Sequence, residues 1–373
     1  MRRVKNWPGG TEVLVTVHAI RKRIEPGFAA FYVLSARRDS RLTVVEPQSH
    51  VLLSFMNAMT HFILRLWSKD GFIWRIARIT LLVCIVALTL IMAFEDKLIY
   101  FPTKYPDGQW EVPRTCAREG EVIPRIADCH FTTSDGLKLH GWFCTPVRCE
   151  KRGHVALSAE MVVLFFHGNA GNISYRYDMI REMMELPVQV FIVDYRGYGK
   201  SEGKPSEQGL YLDARAAWNY LVDDRGISPD NIIIFGKSLG GAPAIDLARQ
   251  VEPAGLIIQS SFTSAGEMAA TILPFLPRAF LHTKMDSISK IAQAHCPKLF
   301  IHSRADEVVP YKLGRRLFEA APEPKEFYEV VGSPHNSTYI VGGKTYFEAL
   351  RRFIESCAPQ RRTRDTASQE TAE

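Results

Sequence analysis

The stretch Gly236-Lys237-Ser238-Leu239-Gly240 decides the fold of this chain. It lies between an apolar run, 231–235, that is typical of a buried strand and a segment, 242–250, that is typical of a helix. In this context Gly-x-Ser-x-Gly predicts a nucleophile elbow, because the glycines let the backbone turn sharply and hold the Ser238 hydroxyl clear of the sheet. An ordinary strand-to-helix turn is the alternative, and the flanking elements disfavour it.

A nucleophilic serine requires a histidine base and an acid that orients the base. In chains that carry such an elbow, the acid follows the serine and the histidine comes last. Asp306, on the turn after a predicted strand at 298–302, is therefore the candidate acid. Glu307 is adjacent, but it is expected to point the other way and is the weaker candidate.

His335 is the candidate base. It follows a predicted strand at 326–331 and the break Gly332-Ser333-Pro334, and a terminal helix is expected to begin near Gly343. His302 is the rival, but a histidine at the end of a strand is more often a structural hydrogen-bonding group. We therefore expect His335 to take the proton from the serine hydroxyl while the acid fixes the tautomer of the imidazole.

Two backbone N–H groups are the candidate oxyanion donors. One belongs to Leu239, the residue after the nucleophile. The other is predicted in His167-Gly168-Asn169-Ala170-Gly171-Asn172, which follows an apolar strand at 161–166. Asn169 is the candidate there, with Ala170 behind it, because the glycines permit close backbone approach. A plain turn that caps the next helix is the alternative, and it is compatible with this role.

Four motifs in this order resemble the α/β-hydrolase superfamily: 167–172, Asp194-Tyr195-Arg196-Gly197-Tyr198-Gly199-Lys200-Ser201, 236–241 and Gly332-Ser333-Pro334-His335-Asn336. More narrowly, they resemble its membrane-anchored α/β-hydrolase-domain proteins, a group that includes protein depalmitoylases and peptidase-like members. The resemblance covers roughly residues 95–357 and implies the fold and a serine hydrolase. The depalmitoylases attach to membranes through a cysteine-rich N-terminus, which this sequence lacks.

An uncharged run at 79–94 predicts a transmembrane helix. The run is slightly short of a full span, but Arg75 and Arg78 can extend it by snorkelling, and Trp74 suits the interface. A buried core helix is the alternative, although nothing upstream resembles a domain that could cover it. A cleaved signal peptide is disfavoured because no small-x-small pattern follows the run.

Charge predicts the orientation of this helix. Residues 1–78 contain thirteen Lys and Arg against five Asp and Glu, a net charge of +8, whereas the whole chain has a net charge of +6. The basic side is expected to stay cytoplasmic, which places the catalytic domain on the extracytoplasmic side. The remainder of the chain then carries about −2, so the folded domain lacks the basic surface that nucleic-acid binding requires.

The cysteines and histidines predict no metal site and no cofactor. No Cys/His spacing resembles a zinc site, and a hydrolytic Ser-Asp-His triad needs no metal. Cys116 with Cys129, and Cys144 with Cys149, are close enough in sequence to form disulfides, although sequence alone cannot establish either pairing. An oxidising compartment favours at least one bridge, and free buried thiols are the alternative.

The order of predicted elements indicates an α/β-hydrolase fold, with a mostly parallel sheet, helices on both faces and a small cap. Antiparallel strands are expected at 128–133 and 137–145, joined at Asp135-Gly136. Further strands alternate with helices, such as the helix at 207–222. The predicted strands lie at 162–166, 188–194, 232–235, 255–259, 299–302 and 327–331. Arg196 is expected to tie loops together rather than contact substrate.

Five regions follow from this reading. They are a basic, poorly ordered leader (1–72), a transmembrane signal-anchor helix (73–94), the catalytic domain (95–357), a small cap or lid within it (261–297) and a disordered tail (358–373). About 260 residues in the catalytic region are enough for one sizeable core. The polar tail is poor in hydrophobic residues and cannot build a core of its own.

The apolar, proline-broken stretch 270–281 lies where this fold places its lid, and such a surface suits an acyl chain. Ordinary packing of a short cap helix is the alternative. With the anchor, this predicts a membrane-proximal ester or thioester with a small-molecule or lipid-like acyl group as substrate. A peptidase or amidase of the same fold and a non-catalytic membrane scaffold are the other hypotheses. The sequence leaves the oligomeric state open.

Overall fold

A computed structural model describes residues 58, 72–113, 118–151, 153–274 and 278–359 of the 373-residue chain. The leader predicted at 1–72 lies almost wholly outside these residues, as do Cys116 and most of the predicted tail, so the domain bounds stay predictions. The helices within the described residues are α1 (Phe72–Ala93), α2 (Glu95–Ile99), α3 (Tyr177–Met183), α4 (Glu207–Asn219), α5 (Gly241–Ala248), α6 (Ala265–Ile272), α7 (Ser287–Ile291), α8 (Tyr311–Ala320) and α9 (Thr338–Cys357).

One sheet organises the described part of the chain. Its strands are β1 (Val122–Thr132), β2 (Lys138–Glu150), β3 (Gly153–Ala156), β4 (Met161–Phe166), β5 (Val188–Asp194), β6 (Ile232–Lys237), β7 (Gly255–Gln259), β8 (Lys298–Ser303) and β9 (Lys325–Val330). Their order is β1-β2-β5-β4-β6-β7-β8-β9, with β3 paired to β2. Strands β4 to β9 run parallel, while β1, β2 and β3 add antiparallel pairs at one edge. The predicted α/β-hydrolase fold is confirmed.

Apolar side chains alternate between the two faces of the sheet. In β4, Val162, Leu164 and Phe166 join the core under α4, α5 and α8, whereas Val163 and Phe165 join the core under α3 and α9. All of these side chains are buried, and burying one such side chain contributes about 1.5–3 kcal/mol. A strand that is apolar on both faces must lie between two helix layers, which is why the continuous apolar runs predict central strands correctly.

The structure corrects the start of the last predicted helix and the type of helix at the end of another. Helix α9 begins at Thr338, directly after a single turn at His335–Ser337, and not near Gly343. Gly343 instead forms a kink inside the helix with φ of +48°, a conformation that glycine adopts without a steric penalty. The helix predicted at 207–222 ends at Asn219 and continues as a wider turn to Asp224.

Helix α1 contains, at Trp74–Ala93, a segment long and apolar enough to cross a membrane, by length and composition. None of the most apolar window in this segment is buried against the rest of the protein. A buried core helix would show the opposite, so the exposure disfavours that alternative.

Both suggested disulfide pairings are wrong. Cys129 and Cys144 are buried free thiols on the paired strands β1 and β2. Cys149 is disulfide-bonded. Burial raises the pKa of the Cys144 thiol, which keeps it protonated and unreactive. Closeness in sequence misled here because strand geometry, and not the length of the connecting loop, decides which cysteine side chains meet.

Arg196 has the structural role that the sequence predicts. Its backbone N–H and its Nε each donate to the Asp213 carboxylate at 2.8 Å. Its two terminal nitrogens donate to the Asp135 carboxylate at 2.8 and 3.1 Å. One guanidinium thereby joins the β1–β2 turn, the loop after β5 and helix α4, in the planar geometry that only arginine provides.

We predict that Gly240→Ala destabilises the fold, because a Cβ at this position overlaps the backbone carbonyls of Phe166 and His167. The expected cost is about 3 kcal/mol, or a fall in Tm of about 6 °C or more. Thermal unfolding of the full chain in detergent measures it. Gly266→Ala is the matched control, since its Cβ meets only the Arg278 side chain at 3.5 Å. Equal Tm values for the two variants would contradict the prediction.

Candidate active site

Ser238 lies where β6 ends and the chain turns toward α5. Its φ is +52°, a left-handed conformation that costs energy in any residue but glycine. The Ser261 hydroxyl donates to the Ser238 carbonyl at 2.9 Å and so holds the turn from the neighbouring strand end. The serine therefore lies on a tight, strained turn, which is the geometry expected of a nucleophile elbow.

The structure brings the three candidate catalytic side chains together. His335 Nε2 lies 3.0 Å from Ser238 Oγ, and His335 Nδ1 lies 2.9 and 2.8 Å from the two carboxylate oxygens of Asp306. Ser238, His335 and Asp306 are 8%, 5% and 9% exposed, so water is largely kept from these hydrogen bonds. The arrangement can pass the hydroxyl proton to the imidazole while the carboxylate fixes the opposite ring nitrogen.

The Asp306 carboxylate is held in its ionised form. Asp306 Oδ1 accepts the backbone N–H groups of Val308 at 3.0 Å and Val309 at 2.7 Å. Burial by itself raises the pKa of Asp306, but hydrogen bonds from His302 and His335 and the attraction to His335 outweigh burial. The pKa of this carboxyl therefore lies well below its usual range, and the acceptor that orients His335 carries a full negative charge.

The two rival residues lie beside the acid and the base. His302 Nε2 lies 3.0 Å from the Val309 carbonyl and 3.4 Å from Asp306 Oδ2, which is the structural role expected of it. Glu307 Oε2 accepts the backbone N–H of His335 at 2.9 Å. Glu307 thus holds the backbone of the histidine whose ring the neighbouring aspartate orients. The sequence does not predict this contact, and its only signal there is the adjacency of the two acids.

The candidate oxyanion donors lie on the two loops that meet at Ser238. A Cβ at Gly168 would lie 3.4 Å from Ser238 Cβ, so the loop after β4 reaches the elbow. Among the described residues, the backbone N–H groups of Leu239 and Asn169 have no hydrogen-bond acceptor. Both N–H groups are therefore available to a substrate oxygen.

The side chain of Asn169 is fixed by the chain that follows α1. Asn169 Oδ1 accepts the Phe101 backbone N–H at 3.1 Å and the Tyr198 hydroxyl at 3.0 Å. Asn169 Nδ2 donates to the Ile99 carbonyl. Since all of these bonds involve the side chain, they orient Asn169 without occupying its backbone N–H.

Residues 95–107, which we name the strap segment, continue across the loops after β4 and β5. The Thr103 N–H donates to the Gly171 carbonyl at 3.0 Å, and the Tyr105 N–H donates to the Gly199 carbonyl at 2.9 Å. Asn172 Nδ2 donates to the carbonyls of Thr103 and Asp107 at 3.1 and 3.0 Å. The strap segment is thus bonded to both loops at the carboxyl edge of the sheet.

Two carboxylates hold part of the predicted lid (261–297) by accepting four consecutive backbone N–H groups, 282–285. Glu95, in α2, accepts those of His282 at 2.9 Å and Thr283 at 2.7 Å. Glu207, at the start of α4, accepts the next two at 2.6 and 2.7 Å. Glu95 and His282 are 187 residues apart, and no local sequence pattern signals such a contact.

Glu95 is ionised in this setting. It is only 5% exposed, and burial alone would raise its pKa. The hydrogen bonds from His282 and Thr283 outweigh burial, so the pKa of Glu95 is lowered from its ordinary value. The hydrogen bonds that Glu95 accepts from His282 and Thr283, which we name the clamp, are therefore charge-assisted, and acid weakens them.

Lys237 places a buried cation directly before the elbow serine. The residue is 6% exposed. Burial and the nearby charge of Arg176 together lower the pKa of Lys237 to about 8, against the opposing effect of Asp306. The ammonium is therefore still largely protonated at neutral pH. Within the described residues, no group of three or more His, Cys, Asp or Glu could hold a metal ion.

Residues 158–284 match a family model described as serine aminopeptidase, S33. The chain is 34% identical over 304 residues to alpha/beta hydrolase domain-containing protein WAV2 of Arabidopsis thaliana, covering 76% of this chain and 95% of that protein. It is 36% identical over 242 residues to alpha/beta hydrolase domain-containing protein 17B of Homo sapiens, covering 64% of this chain and 77% of that protein. An uncharacterized protein of Mycobacterium tuberculosis is 38% identical over 284 residues, which cover 76% of this chain and 95% of the relative.

Solved structures share the fold. The esterase of Pyrococcus furiosus matches with a TM-score of 0.54 and 19% identity, covering 70% of this chain and 98% of the esterase chain. At this identity the likeness concerns the fold and not the substrate.

We predict that Glu95→Ala lowers Tm, because one buried and one part-buried backbone N–H group lose their acceptor at a cost of about 2 kcal/mol. Since the folded pKa of Glu95 is depressed, its contribution is complete above the ordinary pKa of 4.5 and fades as pH falls through the folded pKa. The Tm difference from wild type should therefore shrink in acid, as measured on the full chain in detergent. Asp96→Ala, an exposed neighbour, is the control. A Tm difference that grew in acid would contradict the clamp.

Proposed function

Since this chain belongs to the α/β-hydrolase superfamily and is a hydrolase, we propose that it is a membrane-anchored serine hydrolase that cleaves an acyl ester or thioester. The observation that carries the proposal is the continuous hydrogen-bonded path from Ser238 Oγ through His335 to Asp306. A hydroxyl, an imidazole and a buried ionised carboxylate in this order form the standard machinery of acyl transfer.

In the proposed reaction, His335 Nε2 takes the proton of Ser238 Oγ as that oxygen bonds to the acyl carbon. The carbonyl oxygen becomes an anion and meets the N–H groups of Leu239 and Asn169. When the tetrahedral intermediate collapses, the bond to the alcohol or thiol breaks and His335 returns the proton to that leaving group. Asp306 stabilises the imidazolium throughout without itself taking the proton.

Water completes the cycle. A water molecule attacks the acyl-enzyme, giving one proton to His335 as its oxygen bonds to the acyl carbon. When this second tetrahedral intermediate collapses, the bond to Ser238 Oγ breaks, the acid is released and His335 returns the proton to Ser238 Oγ. The two oxyanion donors serve both halves of the reaction. Each such preorganised donor contributes about 3–4 kcal/mol to the transition state, so their rigid placement matters as much as the proton transfer.

Helix α1 and the lid support a lipid-like acyl substrate at a membrane. The segment Trp74–Ala93 is apolar and unburied, and the lid exposes Ile272 and Phe280. The excess of Lys and Arg in residues 1–78 favours a cytoplasmic N-terminus and an extracytoplasmic catalytic domain. The disulfide-bonded state of Cys149 agrees with an oxidising compartment.

A peptidase or amidase of the same fold is the second candidate, supported by the description of the matching family model. It would use the same serine and histidine but would also need groups that bind a peptide backbone. Turnover of short p-nitrophenyl esters without cleavage of peptide amides separates the two candidates. A non-catalytic scaffold has no need to keep Ser238, His335 and Asp306 in hydrogen-bond contact.

We expect a fluorophosphonate probe to label the wild-type full chain and not Ser238→Ala, because the probe bonds only to an activated nucleophilic oxygen. Gel fluorescence after labelling in detergent measures this, and ester turnover should fall by at least about 10⁴-fold. Ser289→Ala, at an exposed serine in α7, is the matched control and should label normally. Failure of the folded wild type to label would refute the serine hydrolase.

We expect Asp306→Asn to lower kcat by about 10⁴-fold, because the amide favours the wrong tautomer of His335. Glu307→Gln should cost less than about tenfold, since its amide oxygen still accepts the His335 backbone N–H. Steady-state kinetics with a soluble ester compares the two variants, and thermal unfolding checks that both are folded. If Glu307→Gln proved the more damaging change, the assignment of the acid would be wrong.

A further inference from the structure

Large apolar side chains are exposed on the strap segment and on the lid. Leu98 and Phe101 are 56% and 54% exposed, and Ile272, Leu273 and Phe280 are 73%, 46% and 40% exposed. We name these five residues the apolar rim. Single exposed apolar residues are ordinary on a protein surface, but several in one region mark a binding surface.

The two halves of the apolar rim are bonded together. Glu95, three residues before Leu98, accepts the N–H groups of His282 and Thr283, which follow Phe280 closely. Within the lid, an Arg278–Glu267 ion pair of 2.5 Å ties the turn that carries Phe280 to helix α6, which ends at Ile272. The strap segment and the lid, which carry these exposed apolar side chains, are therefore joined to each other by hydrogen bonds.

The end of α1 lies close to this surface. From Leu82 onward α1 belongs to the same compact unit as Ser238. Helical hydrogen bonds continue past its end, since Phe94 N–H donates to the Leu90 carbonyl at 3.0 Å and Leu98 N–H to the Phe94 carbonyl at 3.1 Å. One non-helical residue, Phe94, separates α1 from α2, and at 1.5 Å of rise per helical residue Leu98 lies on the order of 7.5 Å beyond Ala93. The headgroup layer of a bilayer is itself about 5–8 Å thick.

Basic side chains accompany the apolar rim. Lys97 and Lys104 are exposed on the strap segment, and beside the lid two exposed arginines, Arg278 and Arg316, share the single carboxylate of Glu267. Lys97 Nζ lies 5.3 Å from the centre of the Phe94 ring, so its charge stays beside an aromatic side chain at the end of α1. Apolar side chains flanked by Lys and Arg form the composition that binds the boundary between anionic headgroups and acyl chains.

We propose that the apolar rim docks on the surface of a phospholipid bilayer, so that Ser238 receives its acyl substrate directly from the membrane. This inference rests on the proposed membrane anchor and hydrolase activity. The Phe101 N–H bonds to the side chain of Asn169, so the docked surface adjoins a proposed oxyanion donor. A lipid acyl group entering over the rim thus has a short path to the nucleophile.

Photo-crosslinking tests the docking independently of catalysis. The full chain is reconstituted into vesicles of phosphatidylcholine and phosphatidylglycerol that carry a diazirine phospholipid, and adducts are mapped by mass spectrometry. We expect adducts on peptides containing Leu98, Phe101 and 272–280. Peptides of α1 serve as the positive control, and the peptide with Val155, which is 45% exposed on β3, serves as the negative control. Adducts on α1 without any on the rim would overturn the proposal.

A second copy of the chain is the competing occupant. Rim peptides joined to another copy by a bifunctional cross-linker, with no lipid adduct, would identify a contact between copies and overturn the docking on lipid.

Kinetics test the link to the reaction. For Leu98→Glu and Phe280→Glu, we expect the ratio of turnover of a long-chain ester in the bilayer to that of a soluble short-chain ester to fall about tenfold. Val155→Glu should keep the wild-type ratio. An unchanged ratio in the rim variants would overturn direct uptake from the membrane. If wild type hydrolysed neither ester, the proposed function would fail, and the cross-linking result would still decide the docking.

Discussion

The close approach of the Ser238 turn to the end of β4 is the constraint on which the rest of the site depends. Gly240 lies against the carbonyl of Phe166, and a side chain larger than hydrogen does not fit between them. This contact fixes β6 beside β4 and brings the loops after both strands together. The positive φ of Ser238 is sustained by that packing and by the bond from Ser261. The surrounding core thus compensates for the backbone strain at the candidate nucleophile.

The strap segment links three parts of the molecule that the chain visits far apart. It bonds to Asn169 beside the elbow, to the loop after β5 at Gly199, and through Glu95 to the base of the lid. These bonds are made by backbone groups and by charge-assisted carboxylate contacts, both of which are strongly directional. The chain that leaves the apolar helix is therefore a structural component of the candidate active site.

The fold and the order of Ser238, Asp306 and His335 could be predicted because they depend on local patterns. Continuous apolar runs predict buried parallel strands, and glycines around a serine predict the elbow. The contact of Glu95 with His282 could not be predicted, because 187 residues separate them and nothing in the local sequence distinguishes the buried Glu95 from an exposed acid. The cysteine pairings were wrong for a related reason. The register of β1 and β2 sets Cys129 opposite Gly141 and Cys144 opposite Ile126, and both cysteines are free thiols. Long-range side-chain geometry is a product of the finished fold.

The strap segment is continuous with α1 at one end and hydrogen-bonded to the loops of the sheet at the other, which bears on release of the domain from the proposed membrane anchor. A protease that cut between residues 82 and 94 would leave every bond made by Glu95, Ile99 and Phe101 in place. A cut after 107 would instead detach the segment that orients Asn169 and holds the lid. A form of the domain released from the proposed anchor therefore keeps these contacts only when the cleavage site precedes Glu95.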